Sequence, residues 1–85
     1  MYLPDINLLV YAYRADAPRH EAARIWLERA LDSGDGVALT ASVLSGFIRV
    51  VTNPAAFRTP TPISEALEYC RFLREDSGAS WLSPG

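Results

Sequence analysis

A chain of 85 residues allows one domain, and at that size folding removes only about 60 to 65% of the unfolded chain's surface, so the core needs nearly every apolar residue available. Apolar residues make up 49% of the chain and charged ones 21%, which excludes a disordered polymer. A net charge of −2 excludes a generally basic nucleic-acid binder, so any contact with RNA or DNA has to come from local arginines, a partner chain or a bound metal.

Met1–Leu3 predicts a short strand, and Asn7–Tyr13 fits either a first helix or an extension of that strand. The next helix has clearer signals. Asp16 is placed to cap it, Pro18 suits its first turn, and Ala23, Trp26, Leu27, Ala30 and Leu31 recur at helical spacing until Gly34. Trp26 on that apolar face reads as core, so its removal is expected to cost on the order of 3 to 5 kcal/mol. Glu21, Arg24 and Glu28 are spaced as surface ion pairs.

Gly36 releases a short apolar run, Val37–Leu39, which reads as a buried strand. Thr40 or Ser42 then caps a long helix in which Ala41, Leu44, Ile48 and Val51 line one side, and Asn53-Pro54 ends it. After a loop over Ala55–Pro60, Thr61-Pro62 opens a further helix with Ile63, Leu67, Cys70 and Leu73 inward and Ser77-Gly78 at its end. Cys70 has no cysteine or histidine companion, which predicts a buried thiol and neither a disulfide nor a zinc site. Trp81 and Leu82 form a last strand before Pro84-Gly85.

Short strands separated by helices of this length predict an α/β fold, a parallel sheet with helical crossovers on its faces, in a single domain over residues 1–85. The opening apolar run has no basic residue before it and is interrupted by Asp5 and Asn7, so it does not read as a secretory leader. No stretch reaches the roughly 18 apolar residues that span a bilayer. The expectation is a cytoplasmic protein with no membrane contact.

In open parallel sheets, ligand sites form beyond the carboxyl ends of the strands, and Asp5 falls at such an end. A carboxylate there can hold Mg²⁺ or Mn²⁺, both of which prefer oxygen ligands. The plainer alternative is that Asp5 caps the helix beginning near Ile6, with Asn7 assisting.

Three stretches bear on that choice: LPDINLLVYAYRADAPRHEAARIWLERAL, LTASVLSGFIRVVTNPAAFRTPTPISEAL and the closing WLSPG. Together they resemble the N-terminal part of a PIN-domain ribonuclease of the VapC toxin type. The resemblance rests on the apolar-Pro-Asp5-x-Asn7 start, the run from His20 to Ala23, and the run from Phe47 to Pro54, in that order. It implies a PIN-like parallel sheet whose clustered acids bind Mg²⁺ or Mn²⁺ and cleave RNA. It also implies the toxin component of a type II toxin-antitoxin system, blocked by a VapB-type antitoxin and commonly a homodimer. Asp5 matches the family's first metal-binding acid. Asn7 matches a position that often supports that acid by hydrogen bonding. Gly46 stands where many PIN proteins carry another acid. Family members continue beyond a stretch like Leu82 to Gly85 with further acid-bearing elements, so the sheet is expected to look incomplete at its C-terminal end. The competing expectation is a non-catalytic PIN remnant that acts only by binding an antitoxin or dimer partner.

The remaining polar candidates read as structural. His20 lies in the first turn of a helix away from Asp5, which favours packing over general-base chemistry. Ser42 and Ser45 lack a nearby base. Trp81, like Trp26, reads as core. Arg14, Arg49 and Arg58 are candidates for phosphate contact only if they flank the Asp5 mouth, and each is otherwise an ordinary exposed arginine.

Overall fold

In a computed structural model, residues 1–82 are described. The Pro84-Gly85 loop expected from the sequence lies outside them.

The chain folds as α1 (Ile6–Tyr13), α2 (His20–Asp32), β1 (Ala38–Thr40), α3 (Ala41–Val51), α4 (Ile63–Glu75) and β2 (Ser80–Leu82). The segment Asn7–Tyr13 is therefore helix and not strand. Met1–Leu3 is reduced to one parallel bridge, Tyr2 to Val37, held by Tyr2 N–H to the Gly36 carbonyl (3.0 Å) and Ala38 N–H to the Tyr2 carbonyl (2.8 Å). β1 pairs in parallel with β2, Leu39 opposite Trp81. All described pairing is thus parallel, as strands separated by helices require. Gly36 and Gly78, at φ of +78° and +86°, each turn the chain just ahead of a strand in a conformation that costs glycine little.

The core is built from one stripe of each helix against β1: Leu9 and Val10 of α1, Leu27 of α2, Leu39 of β1, Phe47 and Val51 of α3, and Leu73 of α4 are all buried. Phe47 sits at the centre, edge-on to Tyr13 (5.5 Å between centroids) and tilted against Tyr69 (5.4 Å). Burial pushes the Tyr69 phenol up to about 12. Cys70 is buried beside it with its thiol also pushed up by burial, an unreactive packing residue as expected.

Several faces are rotated from the sequence reading. On α2 the buried stripe is Ala23, Leu27 and Ala30, and Trp26, about 100° round the helix from Leu27, is 38% exposed. It packs on the surface, edge-on to Tyr2 at 5.3 Å. Trp26→Ala is accordingly expected to cost the aromatic pair, about 0.5 to 1.5 kcal/mol, together with the covered part of the ring, and to fall short of the roughly 3 to 5 kcal/mol of a fully buried aromatic; thermal denaturation checks this. Trp81 is also at the surface, under the Arg74 guanidinium at 4.4 Å. On α3, Phe47 replaces Ala41 in the buried set, which is Leu44, Phe47 and Val51. On α4 the small Ala66 allows close approach, so Ala66, Cys70 and Leu73 face inward while Ile63 and Leu67 are left exposed.

Asp16 does not cap α2. The Arg14 guanidinium takes both of its carboxylate oxygens, at 2.9 and 2.6 Å, and holds the carboxyl below its usual range. Arg14 also donates to the Thr61 hydroxyl (3.0 Å) and stacks on Phe57 (4.2 Å), tying the end of α1 to the loop before α4. With Asp16 engaged, Pro18 stays in the preceding turn, and α2 starts after Arg19, which has no side-chain cap bond.

Candidate active site

Two helices begin side by side at the carboxyl edge of the sheet. Tyr2 stands opposite Val37, and Asp5 and Thr40 each lie three residues further along parallel segments. Each is the N-cap of the helix that follows. Asp5 Oδ1 accepts from Leu8 N–H at 2.8 Å, and Thr40 Oγ1 accepts from Val43 N–H at 3.2 Å. The capping role anticipated for Asp5 is therefore real, and Thr40 rather than Ser42 caps α3. Capping uses one carboxylate oxygen and keeps the side chain exposed at the mouth.

A surface cavity opens there between α1 and α2. Asp5, Asn7 and Tyr11 line one side, and Arg19 and Trp26 the other. Asn7 is exposed, and among the described residues it makes no side-chain hydrogen bond to Asp5, which leaves its supporting role without a contact. Arg19 is the one described non-glycine residue at positive φ, +67°, a left-handed conformation that costs an L-residue roughly 1 to 2 kcal/mol. Nothing in the sequence signals it, because the sign of φ has no letter of its own outside glycine and, weakly, asparagine.

The other candidates are elsewhere. His20 Nδ1 is 2.8 Å from the Tyr11 carbonyl, the packing role expected of it. Arg14 is committed to Asp16 and Thr61, and Arg49 and Arg58 are exposed and do not line the cavity. Ser42 and Ser45 lie exposed on α3 outside it.

No acid stands at position 46, and the packing explains what the glycine does. A Cβ there would lie 2.3 Å from Ile6 Cδ1 and 2.9 Å from Cγ1, so glycine lets α3 close on α1 directly behind Asp5. Gly46→Glu is expected to destabilise by about 1 to 2 kcal/mol through overpacking, with most of that cost absent in an Ile6→Ala background. Denaturant titration of the four proteins checks this coupling.

A divalent cation normally needs several oxygen ligands. Among the described residues, no three His, Cys, Asp or Glu side chains come together, and Asp5 is the only carboxylate on its cavity. Asp5 thus offers one oxygen ligand on this cavity.

Comparison with known proteins resolves the family. The whole chain aligns at 42% identity with "VapC ribonuclease Mb2897" of Mycobacterium bovis, at 42% with "Ribonuclease VapC43" and at 35% with "Ribonuclease VapC33", both of Mycobacterium tuberculosis. By sequence, this chain belongs to the VapC family. It spans 58% of the length of the first two relatives and 59% of the third. No family profile matches the chain. The VapC relatives thus carry residues with no counterpart in the sequence above. Among the described residues of this VapC chain, no helix is long and apolar enough to cross a membrane.

Proposed function

We propose that this chain contributes to a cytoplasmic toxin-type endoribonuclease of a type II toxin-antitoxin system, with RNA as substrate and Asp5 as its catalytic carboxylate on a PIN-like fold. The observation that carries the reading is the position of Asp5: an exposed acid at the carboxyl edge of a parallel sheet, in register with the cap of a second helix, in a chain whose relatives are named ribonucleases. The Leu8 amide holds the Asp5 carboxylate in one orientation, a form of preorganisation that a freely rotating acid lacks. The expected cofactor is Mg²⁺ or Mn²⁺, with Asp5 giving one ligand and the others coming from outside the described residues. Such an ion supplies charge neutralisation at a phosphate and activation of water. A VapB-type antitoxin and a second copy of the chain are the expected protein partners.

A second reading, a non-catalytic remnant that only binds an antitoxin or dimer partner, is favoured by one observation, the single carboxylate that the described residues place on the cavity. RNA cleavage by the intact protein in Mg²⁺ or Mn²⁺, and its loss in EDTA, is the result expected of the enzyme. Undiminished cleavage in EDTA contradicts the metal, and no cleavage in either condition favours the remnant.

A further inference from the structure

The cavity beside Asp5 has two features that neither folding nor capping explains. The first is Trp26. It stands 38% exposed on the cavity wall, in a T-shaped pair with Tyr2 at 76° between ring planes, so the ring is held by a neighbour without being buried. An exposed ring with its orientation already set is what a stacking partner needs, since little freedom is lost on contact. Core demands do not put it there, because α2 already meets the core through Ala23, Leu27 and Ala30.

The second is Arg19. The ion pairs among the described residues are Arg14 with Asp16, Arg24 with Glu21 and Glu28, and Arg71 with Glu75, so Arg19 enters none of them. It is held in a left-handed backbone conformation at the head of α2, where glycine or asparagine would sit with less strain, and its side chain does not cap the helix. Backbone strain of this kind persists where the surroundings impose it and clusters at functional positions. An arginine and an exposed tryptophan lining one cavity match the two elements by which proteins hold single-stranded nucleic acid, a cation on the backbone and a platform under a base. The carboxylate of Asp5 lines the same cavity. A partner protein seated on apolar surface alone would leave that guanidinium and carboxylate without a role.

We propose that this cavity seats a single-stranded RNA, with Arg19 on a phosphate and Trp26 stacked on a base next to the Asp5 mouth; the assignment rests on the ribonuclease reading and names its substrate contacts. The test is the affinity of the intact protein for a short fluorescent single-stranded RNA, read by anisotropy in EDTA over a range of salt. Arg19→Gly, which suits the left-handed backbone, is expected to weaken binding several-fold and to lower the slope of log K against log salt by about 1, with Arg19→Lys restoring most of both. Trp26→Ala is expected to weaken binding about tenfold and Trp26→Phe much less. Arg71→Ala, an exposed arginine on α4, is the control and should lower affinity no more than any distant charge. If Trp26→Ala fails to fold by circular dichroism, the Arg19 pair decides alone. Affinities and salt slopes for Arg19→Gly and Trp26→Ala equal to those of Arg71→Ala overturn the assignment, as does an absence of RNA binding by the parent protein. Cleavage that still depends on Asp5, with RNA affinity unmoved by these variants, removes this assignment and leaves the ribonuclease reading in place. Binding losses as expected, with cleavage indifferent to Asp5, support this assignment and remove only the catalytic role of Asp5.

Discussion

Asp5→Asn should reduce RNA cleavage by at least about a hundredfold, the size of a several-kcal/mol electrostatic contribution, while leaving the melting temperature unchanged. The two halves of that expectation have separate causes. Asparagine caps helices as well as aspartate does, so the bond from the Leu8 amide at 2.8 Å survives with the amide oxygen as acceptor. What disappears is the negative charge, and with it the hold on a hard cation that the proposed role requires. Asp5→Ala loses both functions and should be destabilised by about 1 kcal/mol in addition to being inactive. An Asp5→Asn protein that cleaves like the parent removes Asp5 from the chemistry and leaves it a cap. Measuring cleavage and melting on both variants separates the roles.

Phe47→Ala should be the most damaging single change to the fold, costing about 3 to 5 kcal/mol. Phe47 is fully buried and contacts Tyr13 and Tyr69 at once, so deleting it opens a void where α1, α3 and α4 meet. At about 0.05 to 0.15 kcal/mol of stability per residue, that loss is a large share of what a domain this small has. The melting temperature is expected to fall by at least about 12 °C. A drop of only a few degrees would mean that the core closes over the void, and the aromatic cluster would not be the keystone of this packing.

What the sequence makes legible here depends on whether local chemistry alone determines it. The order of helices and strands was readable because Gly36, Thr40 and Asn53-Pro54 are local stop and start signals, and the structure uses each of them. Parallel pairing followed from the helical crossovers. Asp5 stood out as a candidate because an acid in an apolar opening is conspicuous, and what the structure adds is its cap bond and its place at the sheet edge. Helix faces were harder to read: Trp26 and Leu27 are adjacent apolar residues, and only the partner surface decides which one turns inward. Asp16 was misassigned to a cap because its competitor, Arg14, is two residues away and binds it with a two-pronged guanidinium that no capping pattern anticipates. Arg19 was invisible for a different reason, since a left-handed backbone has no sequence signature outside glycine and, weakly, asparagine. The glycine at position 46 could be seen as a missing acid, but its purpose, room for Ile6, required the approach of two helices.

The central proposal is that Asp5, at the sheet edge it shares with Thr40, gives one ligand to a divalent cation in the intact protein. It is tested most directly by titrating Mn²⁺ into isotope-labelled protein and following backbone amides by NMR. Paramagnetic broadening should appear first at the amides of Leu8 and Val43, the two capped by Asp5 and Thr40, and should vanish from both in Asp5→Asn. Broadening centred on the exposed acids of α4, or equally strong at Leu8 and Val43 in the Asp5→Asn protein, would contradict it.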